Sequence, residues 1–216
     1  MRKIKLRLLA LCLILTFLFS STAYASGKYD INKLKAANKY SSLIIVSGYN
    51  KSYAIVSMYN KSGDKWKRVF STRGRVGKNG IGRARENKKT TPRGIWSLYT
   101  PFGIKKNPGC KLKYTKVNNN HYWSAKTNKL HNGYTKGEHL ISCGKTYNYG
   151  IGIGWNRKAR KGYGYAYFLH CFGKKGRRAG TAGCVAIPEK YMKKCLQNIH
   201  KDTHIIIDYS DKIKNY

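Results

Sequence analysis

Short apolar runs of strand length, separated by residues that favour turns, recur along most of this chain. Residues 42–47 and 53–59 are separated by the turn-forming stretch 48–51, a pattern typical of consecutive β-strands. Four further segments have strand-like composition: 66–72, 95–99, 163–169 and 203–208. Between them, residues 147–155 alternate Gly with Tyr and Ile. No internal repeat is present, and we expect a mainly β fold.

One segment has a helical pattern. Pro188 and Glu189 suit a first helical turn, because Pro lacks the N–H that a helix start leaves unbonded and Glu complements the helix dipole. Apolar residues then repeat at helical spacing: Tyr191, Met192, Cys195, Leu196 and Ile199. The expected class is therefore mainly β (α+β), with one clear helix.

Two stretches have no regular period. Residues 74–87 are rich in Gly and Arg and are expected to form a loop. Residues 102–140 combine several glycines with His121, His131 and His139. Loops of this length in compact domains are usually functional, so we expect 102–140 to cover the active face.

The N-terminal segment has the pattern of an export signal. Four basic residues within the first seven precede the apolar run 8–19, and Ala23-Tyr24-Ala25 offers small residues at the cleavage positions. This predicts a signal peptide over residues 1–25, cleaved before Ser26. An uncleaved anchor is the alternative, but the apolar run is shorter than the roughly 20 residues that span a bilayer.

The charge of the chain is strongly positive. The 216 residues include 44 Lys and Arg against 8 Asp and Glu, a formal charge of +36. Without residues 1–25, 40 basic and 8 acidic residues remain, a charge of +32 over 191 residues. Such a charge attracts polyanions. Export would favour anionic polymers of the cell wall as partners. The alternative is that the charge only maintains solubility. No nucleic-acid recognition motif appears, so no nucleic-acid partner is expected.

Five cysteines follow the signal segment: Cys110, Cys143, Cys171, Cys184 and Cys195. An odd number in an exported protein leaves at least one thiol unpaired or paired with another chain. Cys110–Cys143 and Cys171–Cys195 are possible disulfides, and a reducing environment would leave all five reduced. Cys195, His200 and His204 lack the paired spacing of a zinc site, and structural roles are favoured for them.

Cys184 is the candidate nucleophile. It lies in a glycine-containing turn, fourteen positions after His170 at the end of the apolar-aromatic segment 165–169. Cysteine reacts as its thiolate and needs a nearby base, and an imidazole can take and return that proton. The alternative for a lone thiol is a buried structural cysteine.

These residues resemble the motif of the L,D-transpeptidase family (YkuD-type catalytic domain). Its motif of a His, a variable gap, then Ser or Thr, a further residue, Gly, Cys and an apolar residue is matched by His170, Thr181, Gly183, Cys184 and Val185. The upstream segment 91–98 resembles the Thr-Pro-x-Gly segment of the family. The resemblance extends from about residue 43 to 207. It departs at Ala182, where many members have His, and at Ala186, where many have Arg or Asn; both positions bear on recognition of the donor peptide.

The resemblance implies the role of each matched residue. Cys184 would attack a tetrapeptide stem of peptidoglycan, and His170 would act as proton acceptor and donor. The backbone carbonyl of Cys171 would orient His170, and the Gly183 and Cys184 N–H groups would face the oxyanion. Thr181 is a candidate substrate-binding residue. We also expect substrate carboxylate binding, and a lowered thiol pKa, from basic residues in the loop between base and nucleophile: Lys174, Lys175, Arg177 and Arg178.

The expected protein is a secreted, wall-associated L,D-transpeptidase that forms a Cys thioester and transfers it to an acceptor amine, giving a 3-3 cross-link. It would be a monomer and require neither metal nor cofactor. The expected organisation is a signal peptide (1–25), a lead-in segment (26–40), a YkuD-like mixed-sheet or sandwich catalytic domain (41–210) and a tail (211–216). The alternatives are an L,D-carboxypeptidase using water as acceptor, and a non-catalytic basic module that binds the wall.

Overall fold

The computed structural model describes residues 29–174 and 179–216. The expected signal peptide and the basic residues Lys175, Arg177 and Arg178 lie outside the described residues. Within these ranges, no helix is long and apolar enough to cross a bilayer.

Most of the regular structure is β. The strands are β1 Ser42–Asn50, β2 Tyr53–Ser62, β3 Lys65–Arg75, β4 Ile81–Gly82, β5 Thr91–Pro92, β6 Gly94–Gly103, β7 Thr115–Lys116, β8 His121–Ser124, β9 Leu130–Asn132, β10 Gly137–His139, β11 Gly150–Ile153, β12 Phe168–Cys171, β13 Val185–Ile187 and β14 Thr203–Tyr209. The α-helix of the described residues, α1 (Glu189–Asn198), follows β13. Short 3₁₀ helices span Ile31–Lys33, Lys35–Asn38, Leu140–Tyr147 and Ile213–Asn215. The mainly β class with one clear helix is confirmed.

The main sheet is mixed and curls back on itself. Its strand order is β11-β12-β13-β3-β2-β1-β14-β6-β7, and β11 also pairs with β6. This second pairing closes the sheet into a ring. The β1–β14, β12–β13 and β6–β7 pairs are parallel, and the others are antiparallel.

The continuous apolar sequence of β1 reflects burial on both faces of the sheet. Ile44 and Val46 belong to the main core, which also contains the inward face of α1. Leu43 and Ile45 belong to a second cluster on the other face. Alternation of side chains along a strand assigns successive residues to these two layers.

The lead-in segment and the tail both contribute to that second cluster. Leu34 and Ala36 from the lead-in are almost fully buried there, together with Ile213 from the tail. The Tyr216 hydroxyl donates to Asp208 at 2.8 Å. Both terminal segments of the described chain therefore pack against the sheet.

Residues 102–140, which were expected to be irregular, contain a small three-stranded sheet. β8 pairs with β10 on one side and β9 on the other. Trp123 of β8 is fully buried against Phe102 and Phe168 in a third cluster. Strand β12 also differs from expectation: it begins at Phe168, so His170 lies inside the strand and residues 163–167 precede it.

Candidate active site

His170 and Cys184 are brought together by two neighbouring parallel strands. The register pairs Leu169 with Val185 and His170 with Ala186. Leu169 and Val185 point into the main core. Side chains alternate along a strand, so His170 and Cys184 lie on the opposite face, where both line a cavity of about 850 Å³.

The imidazole is held by the neighbouring backbone. His170 is 6% exposed, and its Nδ1 is 2.7 Å from the Cys171 carbonyl oxygen. A ring nitrogen that faces a carbonyl carries the proton. The neutral ring therefore donates from Nδ1 and leaves Nε2 as the acceptor.

The thiol makes its hydrogen bonds with backbone groups. The Phe168 N–H donates to Cys184 Sγ at 3.3 Å, and Sγ donates to the Ala166 carbonyl at 3.4 Å. The sulfur is thus turned toward the start of β12 rather than hydrogen bonded to the imidazole. Catalytic hydrogen bonds often tighten only when substrate binds.

Burial makes both groups neutral at physiological pH. It lowers the pKa of His170 to about 4, against the opposing hydrogen bond to the Cys171 carbonyl. Burial and the negative charge of Glu138 together raise the pKa of Cys184 to about 12, against the opposing hydrogen bond from the Phe168 N–H. The resting site is therefore a thiol beside a neutral imidazole, not a thiolate–imidazolium pair.

The turn before Cys184 is held by two threonine hydroxyls. The Thr181 hydroxyl donates to the Cys184 carbonyl at 2.6 Å and accepts from the Gly183 N–H at 3.0 Å. Thr91 Oγ1 accepts from the Gly77 N–H at 2.7 Å and lies 3.4 Å from the same Cys184 carbonyl.

The structure adds contacts to two of the expected site residues. The Gly183 N–H, expected to face the oxyanion, donates to the Thr181 hydroxyl. Thr181, expected to bind substrate, holds the turn and also lines the cavity. The Thr-Pro motif at Thr91 was noted in the sequence, but its contact with the nucleophile's carbonyl is a tertiary one.

Gly183 is required by this geometry. Its φ is +143°, and a Cβ there would lie 2.6 Å from Tyr167 Cε1 and 3.2 Å from the Thr90 carbonyl oxygen. Only glycine takes such a backbone conformation without strain.

Of the four basic residues proposed to bind substrate, the structure describes Lys174. It is exposed and lines the cavity. Lys174 is not among the groups that shift the pKa of Cys184. The other three basic residues lie outside the described residues, so the effect of the cluster on this pKa stays a prediction.

A half-buried acidic group in the cavity was not anticipated from the sequence. Glu138 of β10 accepts from the Tyr147 hydroxyl at 2.6 Å and from Cys143 Sγ at 3.3 Å. The Tyr147 ring packs edge-on against the His170 imidazole, with centroids 5.5 Å apart. The only sequence signal was an isolated acid in a histidine-containing stretch of a basic chain.

The other cysteines do not pair. All five described cysteines are free thiols, so neither possible disulfide is present in the structure. Cys195 is fully buried in α1, and His204 stacks on Tyr40 at 3.8 Å. Among residues 29–174 and 179–216, no three His, Cys, Asp or Glu side chains form a group able to hold a metal.

The geometry defines a cysteine–histidine site on a closed mixed β-sheet. The family profile of the YkuD L,D-transpeptidase catalytic domain matches residues 43–207. The chain therefore belongs to the L,D-transpeptidase catalytic-domain family, as the resemblance implied. No curated protein matches it at the sequence level.

Solved structures with a similar fold are distant in sequence. The helical cell shape determining protein Pgp2 from Campylobacter jejuni is 15% identical, with a TM-score of 0.46, over 80% of this chain and 51% of that one. Bd1075 from Bdellovibrio bacteriovorus is 16% identical (TM-score 0.45; 84% and 56% covered). An L,D-transpeptidase from Stackebrandtia nassauensis is 14% identical (TM-score 0.41; 87% and 61% covered). The chain thus spans about half to three-fifths of the length of these proteins.

Proposed function

We propose that this protein is an exported L,D-transpeptidase that forms a thioester at Cys184 with a peptidoglycan tetrapeptide stem. The observation that carries the proposal is the shared cavity, where the thiol and an imidazole with a free acceptor nitrogen lie on the same face of adjacent strands. Membership of the family supplies the substrate class.

The first half-reaction starts from neutral groups. The thiol attacks the carbonyl of the third stem residue while His170 Nε2 takes its proton, as a general base acting during the attack. The imidazolium then returns the proton to the leaving D-amino acid. The Cys171 carbonyl stabilises the imidazolium because it accepts a hydrogen bond from the Nδ1–H group throughout.

The oxyanion is assigned to the backbone N–H of Cys184. The Gly183 N–H is engaged by Thr181, so it would contribute only if that hydrogen bond opens. Thr181 and Thr91 act as positioning residues, because both hold the carbonyl of the nucleophile. One oxyanion donor is worth about 3 kcal/mol of transition-state stabilisation.

An amine from a second stem then attacks the thioester and completes a 3-3 cross-link. Water in the same position would make the protein an L,D-carboxypeptidase, so the two activities share one acyl-enzyme. The expected export and the charge of +32 after residue 25 support action at an anionic cell wall, to which the protein would also adhere.

The test is to incubate the mature protein with defined tetrapeptide muropeptides and identify products by mass spectrometry. We expect release of the terminal D-residue, a carbapenem adduct on Cys184, and loss of both in Cys184→Ala. Cys143→Ala is the matched control, because it removes the other thiol that lines the cavity, and it should retain the adduct. Turnover in Cys184→Ala equal to wild type would falsify the assignment. Wall binding without any adduct would favour the non-catalytic basic module.

A further inference from the structure

Glu138 is an unusual residue at its position. The chain has only eight acidic residues, and two of them, Glu86 and Glu138, line the cavity that holds Cys184. Glu86 is exposed, whereas Glu138 is partly buried. A buried carboxylate is unfavourable unless it is paired or hydrogen bonded.

The known contacts of Glu138 use one of its two oxygens. Oε1 accepts from the Tyr147 hydroxyl and from the Cys143 thiol. Among the described residues, no hydrogen bond or ion pair reaches Oε2. No buried side-chain oxygen or nitrogen of the described residues lacks a partner, so Oε2 keeps solvent-accessible surface, and Glu138 lines the cavity.

A purely structural role does not require a charge here. The Oε1 of a glutamine would accept from Tyr147 and Cys143 equally well. The charge has a cost, because the carboxylate raises the pKa of Cys184 and so opposes formation of the thiolate. A cation bound at Oε2 would offset this penalty.

We propose that Glu138 Oε2 binds a primary ammonium group of the stem peptide, which makes Glu138 a specificity-determining residue. This inference rests on the proposed function. The ammonium has two possible sources of the same chemistry: the side chain of the donor's diamino acid, or the acceptor amine.

In the acceptor case the proton balance is complete. The ammonium leaves one proton on Glu138, and the free amine attacks the thioester carbonyl. Its second proton passes to His170 as the C–N bond forms. The C–S bond breaks, the thiolate takes that proton from His170, and Glu138 returns its own to solvent.

The donor arm of the test compares tetrapeptides that carry lysine or Nε-acetyl-lysine at the third position. Release of the terminal D-residue gives kcat/KM for wild type, Glu138→Gln and Glu86→Gln. The acceptor arm starts from the acetylated donor. It compares aminolysis by a D-amino acid, whose amine is an ammonium at neutral pH, with aminolysis by uncharged hydroxylamine.

In one of the two arms, we expect the wild-type preference for the ammonium form to fall roughly tenfold or more in Glu138→Gln, the typical effect of losing a charge-assisted hydrogen bond. Glu86→Gln removes the same charge from the cavity rim and should stay within about twofold of wild type. The arm that responds identifies the source of the ammonium. Unchanged preferences in both arms would overturn the inference.

A binding measurement separates this inference from the proposed function. In a Cys184→Ala background, calorimetry with the lysine and acetyl-lysine tetrapeptides reports recognition without turnover. If wild type forms no Cys184 adduct, the proposed function fails, and calorimetry alone decides the role of Glu138. Tighter binding of the lysine peptide than of the acetyl-lysine peptide, lost on Glu138→Gln, would support the inference. Equal affinities of the two peptides would refute it.

Discussion

His170 should make the protein lose stability on mild acidification. Its side chain is 6% exposed, and burial lowers its pKa from 6.5 to about 4. Above pH 6.5 the ring is neutral in both the folded and the unfolded chain and contributes no pH dependence. As the pH falls below 6.5, the unfolded chain binds a proton that the folded protein does not, so unfolding becomes more favourable until about pH 4.

The size of this effect follows from the shift. A difference of about 2.5 pKa units, at 1.36 kcal/mol for each, is about 3 kcal/mol of unfolding free energy. The perturbation is His170→Asn, in which the amide nitrogen can replace Nδ1 as donor to the Cys171 carbonyl but does not titrate.

The assay is urea unfolding of both proteins at several pH values between about 7 and 4. Carboxylates whose pKa the fold lowers, such as Asp202, also lose stability on acidification, but they are common to both proteins and cancel in the difference. Wild type should lose about 3 kcal/mol more than His170→Asn. Equal losses would refute the reasoning, because they would mean that the imidazole is not buried and neutral in solution.

Two further predictions concern the cysteine and its turn. Burial raises the pKa of Cys184 to about 12, so the rate of its alkylation by iodoacetamide should rise about tenfold per pH unit, without a plateau up to about pH 10. Peptide mass spectrometry measures that rate. A plateau near neutral pH would instead indicate a preformed thiolate–imidazolium pair. Gly183→Ala forces a Cβ against Tyr167 at a φ of +143° and should lower the unfolding free energy by about 2–4 kcal/mol. Gly63→Ala is its control, because a Cβ at Gly63, where φ is +58°, has nothing within 4 Å. This variant should lose about 1 kcal/mol of unfolding free energy. Similar losses of thermal stability in the two variants would contradict the steric argument.

Local patterns predicted much of the fold. The apolar runs 42–47 and 53–59 predicted β1 and β2, although β1 extends to Asn50 and includes most of the expected turn. Pro188-Glu189 predicted the start of α1. The stretch 102–140 was not predicted as a sheet because β8, β9 and β10 are three or four residues long. Strands this short carry no measurable alternation, and tertiary packing of Trp123 stabilises them.

The candidate site, like the fold, was predicted only in part. His170 and Cys184 were chosen as candidates from their residue types, their order and Gly183 directly before the cysteine. The involvement of Glu138 and Tyr147 was not found, because they are separated from Cys184 by 46 and 37 positions in a stretch without periodicity. Their contacts form only when the segment from β10 to Leu140–Tyr147 packs over β12.

The sequence by itself determined the strand-rich class, the helix after Cys184 and the choice of Cys184 and His170 as the candidate reactive pair, since these follow from local periodicity and side-chain chemistry. Tertiary structure decided the closure of the sheet through β6 and β11, the loss of the Gly183 N–H to Thr181, and the charge state of the thiol and imidazole. Burial and contacts between distant segments control these properties, and neither can be read from neighbouring residues along the chain.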